Sequence, residues 1–368
     1  VIIFLALLTF SQKLEGYIFK RESIGRVLVV DNSNAIVQGV SKVGSQALTV
    51  EVLTGKNKGK VLEINNLLNG SMEYDEFYEK DDKVLMYVIE NVLSLLRIDK
   101  IIGLGLIFIT LLLVYARKVG FQSLLSFVGS VVIIWEFLIP ALKEGENIFL
   151  ITIITLILLS ALIIFLVAGF TRKGFTAFLG TMSGLFTTAS LTFLFGDIFR
   201  IDGMSQPFAQ SVIFASAMKI DILKIFYAAI VIGASGAAMD IAMDMSATIE
   251  ELKYHNPNLS RRELVKSGFN VGRSVIGTMT TTLLLAYSGG FLTLMILFLE
   301  RDMTLLQILN MKMITSEIIK IIIGSIGLVV VAPMTTYIGA FIYSLEEKKI
   351  LRIKEKISLK RVVSTIIK

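Results

Sequence analysis

The chain has 368 residues, no cysteine and one histidine, a mean hydropathy of +0.76, and 54% hydrophobic against 18% charged residues. Soluble domains carry about 25% charged residues, and here the apolar runs are long, so the pattern is that of a multi-pass helical membrane protein. The absent cysteines exclude disulfides, thiolate metal sites and thiol catalysis, and the lone His255 excludes a multi-histidine metal centre.

The chain opens with VIIFLALLTF, about ten apolar residues, too short to cross a bilayer alone. Residues 1–16 are read as the end of an N-terminal transmembrane anchor rather than of a signal sequence. Residues 17–95 differ in kind. Short β-type runs (GRVLVVD, AIVQGV, ALTVEVL, GKVLEI, KVLMYVI) alternate with turn signals such as Asp31-Asn32-Ser33-Asn34. Five or six strands in so short a stretch predict a small barrel-like all-β domain of SH3 or OB type. Nucleic acid is not an expected partner, because the strands lack aromatic residues for base stacking. Docking of an envelope protein suits the domain better.

From Ile98 the sequence predicts a seven-span bundle, residues 96–345, with crossings near 98–116, 119–142, 148–170, 174–196, 225–246, 271–299 and 317–344. A helix needs about 20 apolar residues to cross, and 148–170 holds 23 uncharged positions and 274–299 holds 26. Lys and Arg near the span ends alternate strictly, sixteen on one side and seven on the other. The basic side is therefore the cytoplasmic one, which puts residues 17–95 outside and the C-terminus inside a bacterial cytoplasmic membrane. Most of the +6 net charge is thus a topology signal. The basic tail, residues 346–368, is expected to lie on anionic lipid. A weak internal repeat pairs RKVGFQSLL (117–125) with RKGFTAFL (172–179).

Between the fifth and sixth spans, Asn256-Pro257-Asn258 breaks the chain, and Ser260-Arg261-Arg262-Glu263 has the spacing of a capping box. A helix is expected to start at about 261 and run into the next span. His255 reads as a solvated loop residue.

The chemistry concentrates in GASGAAMDIAMDMS, residues 233–246. Asp240 and Asp244 lie one turn apart on one helix face, with Gly233, Gly236 and Ala237 on or near that face as helix-packing positions. A carboxylate inside a span costs several kcal/mol, from about 2.5 to more than 10 on different scales, unless it is paired, neutralised or wetted. The stripe must then face protein or water. The next span brings Arg273 in at the matching depth on an antiparallel helix, as the expected charge partner. Gly277, a further packing position, shares a face with Arg273 and Thr281, while Ser274 and Thr278 lie close by. These hydroxyls, with Thr187 and Thr188 on the 174–196 span, are the polar-pathway candidates. A static Asp–Arg pair that only joins two helices competes with this reading. Pro333 breaks the pattern of the last span, as a kink or hinge. No Walker motif, dinucleotide fingerprint or nucleophile–base arrangement appears, and two aspartates on one helix fit intramembrane proteolysis poorly, so no catalytic residue, metal or cofactor is expected.

GASGAAMDIAMDMSATIEEL (233–252) and NVGRSVIGTMTTTLLLAYSGG (270–290) resemble the signature segments of the YibE/F-like bacterial membrane proteins, and KNKGKVLEINN and DDKVLMYV are similar too. The resemblance covers most of residues 17–345. It implies an integral membrane protein with an anchor, a small extracytoplasmic β domain and about seven spans, often guessed to be a permease, and it supplies no established catalytic residues. The expectation is a transporter for a small cation or a proton-coupled solute, compatible with a homo-oligomer. The alternative is a non-transporting envelope scaffold or assembly factor whose β domain docks a partner.

Overall fold

A computed structural model describes residues 22–55, 57–71, 75–87, 92–144, 147–215 and 220–366. The expected anchor, residues 1–16, lies outside the described residues. The chain divides into two units, Val1–Tyr115 and Ala116–Lys368.

The first unit holds strands β1 (Glu22–Asp31), β2 (Ala35–Gln38), β3 (Ser41–Val52), β4 (Val61–Asn69), β5 (Lys83–Tyr87) and β6 (Val92–Leu95). All pairings are antiparallel, in the order β2-β3-β1-β5-β6, with β4 also on β3. The long β3 organises the sheet. One of its edges takes β4 along residues 43–51, while the other takes β2 and then β1. Alternation along β3 sends Leu48, Val50 and Val52 inward to meet Val27, Ile64, Val84 and Met86. Gly25 is needed where β1 crosses this core, since a Cβ there would lie 2.5 Å from Val50 Cγ1.

Each β-type run of the sequence forms a strand. The closed barrel expected from them is instead a half-barrel: among the described residues β4 and β6 each pair on one side only. The segment around Tyr78, between β4 and β5, forms no strand and plugs the core in place of a closing pair. Tyr78 is fully enclosed, and its backbone is held by the buried Gln46. The Tyr78 N–H donates to Gln46 Oε1 (3.0 Å), while Gln46 Nε2 donates to the Tyr78 carbonyl (3.1 Å) and to Asn32 Oδ1 (2.8 Å). Asn66 Nδ2 donates to Gln46 Oε1 (3.1 Å) and to the Glu76 carbonyl (2.8 Å). Buried polar groups persist when paired in this way.

Ten helices follow among the described residues: α1 (Ile98–Ile133), joined by a π-helical turn (Ile134–Leu138) to α2 (Ile139–Glu144), then α3 (Ile148–Ala168), α4 (Arg172–Ile198), α5 (Ala209–Ala215), α6 (Ile222–His255), α7 (Arg261–Gly290), α8 (Leu292–Glu300), α9 (Leu305–Asn310) and α10 (Lys312–Ile366). α1 is interrupted at Arg117, whose φ of 45° and ψ of −116° are non-helical. The two repeat segments thus mark corresponding places, with Arg117 at this break and Arg172 opening α4. Ser260 and Glu263 form the expected capping box at the start of α7, Ser260 N–H donating to Glu263 Oε2 (2.8 Å). α10 continues through Pro333 without ending. The hydroxyls of Thr335 and Thr336 donate back to Val331 (2.7 Å) and Ala332 (2.8 Å).

In the second unit α4, α6 and α10 pack together, α3 lies on α4 and α6, and α7 lies on α10 and α6. Leu156, Leu185, Met239, Ile241, Met245 and Val331 belong to their shared core. Close approach of α4 and α10 depends on glycine. A Cβ at Gly184 would lie 2.1 Å from Val331 Cγ2, one at Gly180 2.0 Å from Thr335 Oγ1, and one at Gly327 1.9 Å from Thr188 Oγ1. This is the small-xxx-small device of membrane helices, where contact rather than water expulsion drives association. Both ends of the trio are tied. Tyr343 Oη donates to Glu250 Oε1 (3.1 Å), and Lys173 pairs with Glu250 (3.9 Å), which joins α4, α6 and α10 at one end. At the other end Lys312 pairs with Asp202, beside a cluster of Ile201, Phe226, Ile230 and Ile319.

Five helices are long and apolar enough to cross a membrane, or six if the pair α7 and α8, bent by 60°, counts as one. The first of them, Lys100–Glu144, has 45 residues and contains the break at Arg117.

Candidate functional site

More of α6 is buried than of any other candidate span, because α3, α4, α7 and α10 all pack on it. One narrow stripe stays open. Ala229, Gly233, Gly236, Asp240 and Asp244 recur at helical spacing and are exposed, whereas Met239, Ile241, Ala242 and Met245 beside them are enclosed. Asp240 and Asp244 share this face. Among the described residues neither carboxylate has a hydrogen bond or an ion pair. Gly233 and Gly236, read as packing positions, meet nothing within 4 Å of an added Cβ. Ala237, at the edge of the stripe, packs against the core.

α7 turns one face to its neighbours. A Cβ on Gly268 would meet Thr336 Cγ2 at 2.5 Å and Ile249 Cδ1 at 2.9 Å, and one on Gly272 would meet Met245 Cε at 3.4 Å and Ala332 Cβ at 3.6 Å. Val275, Ile276, Met279 and Leu283 continue this face onto the core. The rest of the helix is open and polar: Asn270, Arg273, Ser274, Gly277, Thr278 and Thr281 are exposed, and Gly277 meets nothing within 4 Å. The hydroxyl of Thr278 donates to the carbonyls of Ser274 (3.2 Å) and Val275 (3.0 Å), and that of Thr281 to Gly277 (3.1 Å). Such back-bonding lowers the cost of a hydroxyl at membrane depth.

The expected Asp–Arg pair is not formed: among the described residues no ion pair links Arg273 to Asp240 or Asp244. The contact between the two helices explains this. Met245 faces Gly272, which sets the following and preceding residues, Arg273 and Asp244, at one level of the bundle. Each of them is a single residue away from the contact position, about 100° round its helix, and so points outward. Opposite charges therefore stand at the same height on adjacent helices, open to the same surroundings and not to each other.

The remaining candidates lie elsewhere. Thr187 is half-buried, and its hydroxyl donates to Ser183 (3.0 Å). Thr188 is buried in the α4–α10 contact against Gly327 and donates to Gly184 (3.1 Å). Neither touches the α6 stripe. His255 ends α6 exposed, its Nε2 3.3 Å from Glu251. A cavity of about 690 Å³ lies among α8, α9 and α10, lined by Phe291, Leu294, Phe298, Ile314 and Glu317, with no contribution from Asp240. Glu317 is ion-paired to Lys320 at 2.5 Å.

Sequence reasoning missed the glycines that do bring helices together. Gly180-Thr181-Met182-Ser183-Gly184 carries a plain G-x-x-x-G signal. It also missed Glu250, whose place among Lys173 and Tyr343 has no local signature.

In comparison with known proteins, residues 104–345 match the family described as YibE/F-like protein, and residues 17–99 match the YibE/F family N-terminal domain. No curated protein matches the chain, and no solved structure does.

Proposed function

The chain belongs to the YibE/F-like family, and from that premise we propose that it is a bacterial permease for a small cation or a proton-coupled solute, with Asp240 and Asp244 as the ion- or proton-binding groups. The observation that carries this reading is the open stripe on α6. The most enclosed candidate span leaves uncovered only small residues and two carboxylates, next to a helix whose free face is a guanidinium and hydroxyls. At membrane depth such a surface needs water or polar protein against it. A carboxylate whose surroundings alternate between a nearby cation and water can take up and release a cation or a proton.

The topology proposed with it has seven crossings: α1 before and after Arg117, α3, α4, α6, α7 with α8, and α10. The 45 residues of Lys100–Glu144 suffice for two passes at about 20 residues each. The excess of Lys and Arg assigns the 253–266 loop and the C-terminus to the cytoplasm and the β domain to the outside, and the tail to anionic lipid.

The test is flux in proteoliposomes. Asp240→Asn and Asp244→Asn, separately and together, are expected to abolish cation- or proton-dependent uptake while the protein still reconstitutes. Unchanged flux in the double variant rules the reading out.

A further inference from the structure

We infer that the stripe is completed by a second copy of the chain, so that Asp240 and Asp244 of one copy face Arg273 of the other across a two-fold seam. This rests on the transport reading in one respect: the path would run along the seam.

The argument is charge complementarity between two open faces of one molecule. α6 presents Gly233, Gly236, Asp240 and Asp244, while α7 presents Arg273, Ser274, Gly277 and Thr278, and both sets are exposed. The contact of Met245 with Gly272 puts Asp244 and Arg273 at one level, so a two-fold axis along the membrane normal keeps that level when it brings α6 of one copy to α7 of the other. The interface is then isologous, with each copy giving carboxylates and receiving a guanidinium. The glycines fit this role. Gly233, Gly236 and Gly277 contact nothing in their own chain, yet each stands on the charged faces, where the absence of a side chain lets another helix approach closely. Lipid tails would leave three charges uncompensated at membrane depth, which is the costly arrangement.

Because the chain has no cysteine, single-cysteine variants report directly. Gly236→Cys in one tagged copy and Gly277→Cys in a second tagged copy, co-expressed and oxidised in native membranes, are expected to form a disulfide-linked mixed dimer. Neither side chain is obstructed within its own chain. A cysteine pair on the apolar outer face, Leu150→Cys with Ile157→Cys, is expected to give none. The second measurement uses charge. Full-length chains bearing Asp240→Lys and Asp244→Lys repel each other at the seam, and so do chains bearing Arg273→Glu. A mixture of the two restores attraction at both halves of the interface. Two-colour counting in nanodiscs is expected to show mixed pairs exceeding like pairs by about tenfold, a difference that complementary and clashing charges readily produce. A pairing confined to one chain gives no such preference.

Absence of the cysteine cross-link, or mixed pairs no more frequent than like pairs, overturns the inference. Flux is scored separately. A dimer that forms as described but carries no flux leaves the interface standing and removes the transport reading, whereas flux from a chain that stays single removes the interface alone.

Discussion

Gly184→Ala and Gly233→Ala are the same substitution in two candidate membrane helices, and the structure assigns them opposite outcomes. At Gly184 the new Cβ would sit 2.1 Å from Val331 Cγ2 and 3.0 Å from the Gly327 carbonyl. Carbon contacts settle near 3.5–4.0 Å, so α4 and α10 must separate by about 1.5 Å. Val331 cannot yield alone, because the backbone of Gly327 stands behind the same contact. Overpacking of this kind costs about 1–3 kcal/mol, and replacing glycine in a helix returns about 1 kcal/mol, which leaves a net loss of about 1 kcal/mol. At Gly233 nothing lies within 4 Å, so only the gain of about 1 kcal/mol remains. The two variants should differ by about 2 kcal/mol, almost all of it from packing. SDS-driven unfolding of the full chain in mixed micelles, at dilutions where copies are separate, measures this. Equal effects of the two substitutions, or a larger loss at Gly233, would refute the assignment of α4 and α10 as the glycine-packed pair.

Other outcomes follow from the polar contacts. Gln46→Leu leaves the Tyr78 N–H and carbonyl and the Asn66 amide without their partners, at about 1–3 kcal/mol per stranded group. Pulse proteolysis of the full chain should then cut within residues 75–82 at lower denaturant than wild type, and unchanged cleavage would contradict the plug. Burial pushes the Glu76 carboxyl up, but the Leu95 N–H (2.6 Å) and the Arg97 guanidinium (2.5 Å) hold it below the usual glutamate range. The resulting stabilisation is present above about pH 4.3, the unfolded value, and is lost as pH falls through the lower folded value. Acid protection of the same proteolytic site should therefore fall more steeply in wild type than in Glu76→Gln, and parallel curves would dismiss the carboxylate. Tyr343→Phe removes one hydrogen bond to Glu250 and should cost about 1 kcal/mol in SDS unfolding, whereas no change would mean that this tie between α6 and α10 is idle.

How much of this was legible in the sequence depended on what kind of signal each feature leaves. The strands were readable because one face of each is wet, so that Leu48, Val50 and Val52 alternate with polar residues. The half-barrel was not, because its plug is held by Gln46, a polar residue whose burial depends on partners at positions 32, 66 and 78. The capping box at Ser260 is a local motif, and it formed as written. The helices of the bundle could be located by length but not oriented. In α3 nearly every residue is apolar, so the side that buries Ile151, Leu156, Leu159 and Ile164 cannot be told from the side that does not. For the same reason the spacing of Asp240 and Asp244 correctly gave one shared face, while their pairing with Arg273 did not follow. That pairing depends on which residues two helices turn toward each other, and here Met245 and Gly272 take the contact. An α-helix places neighbouring residues about 100° apart, so an offset of one position moves a charge from the contact to the open surface. It is this offset that turns a pair expected within one chain into two complementary faces, and it makes the surroundings of α6, rather than the aspartates alone, the determinant of what they bind.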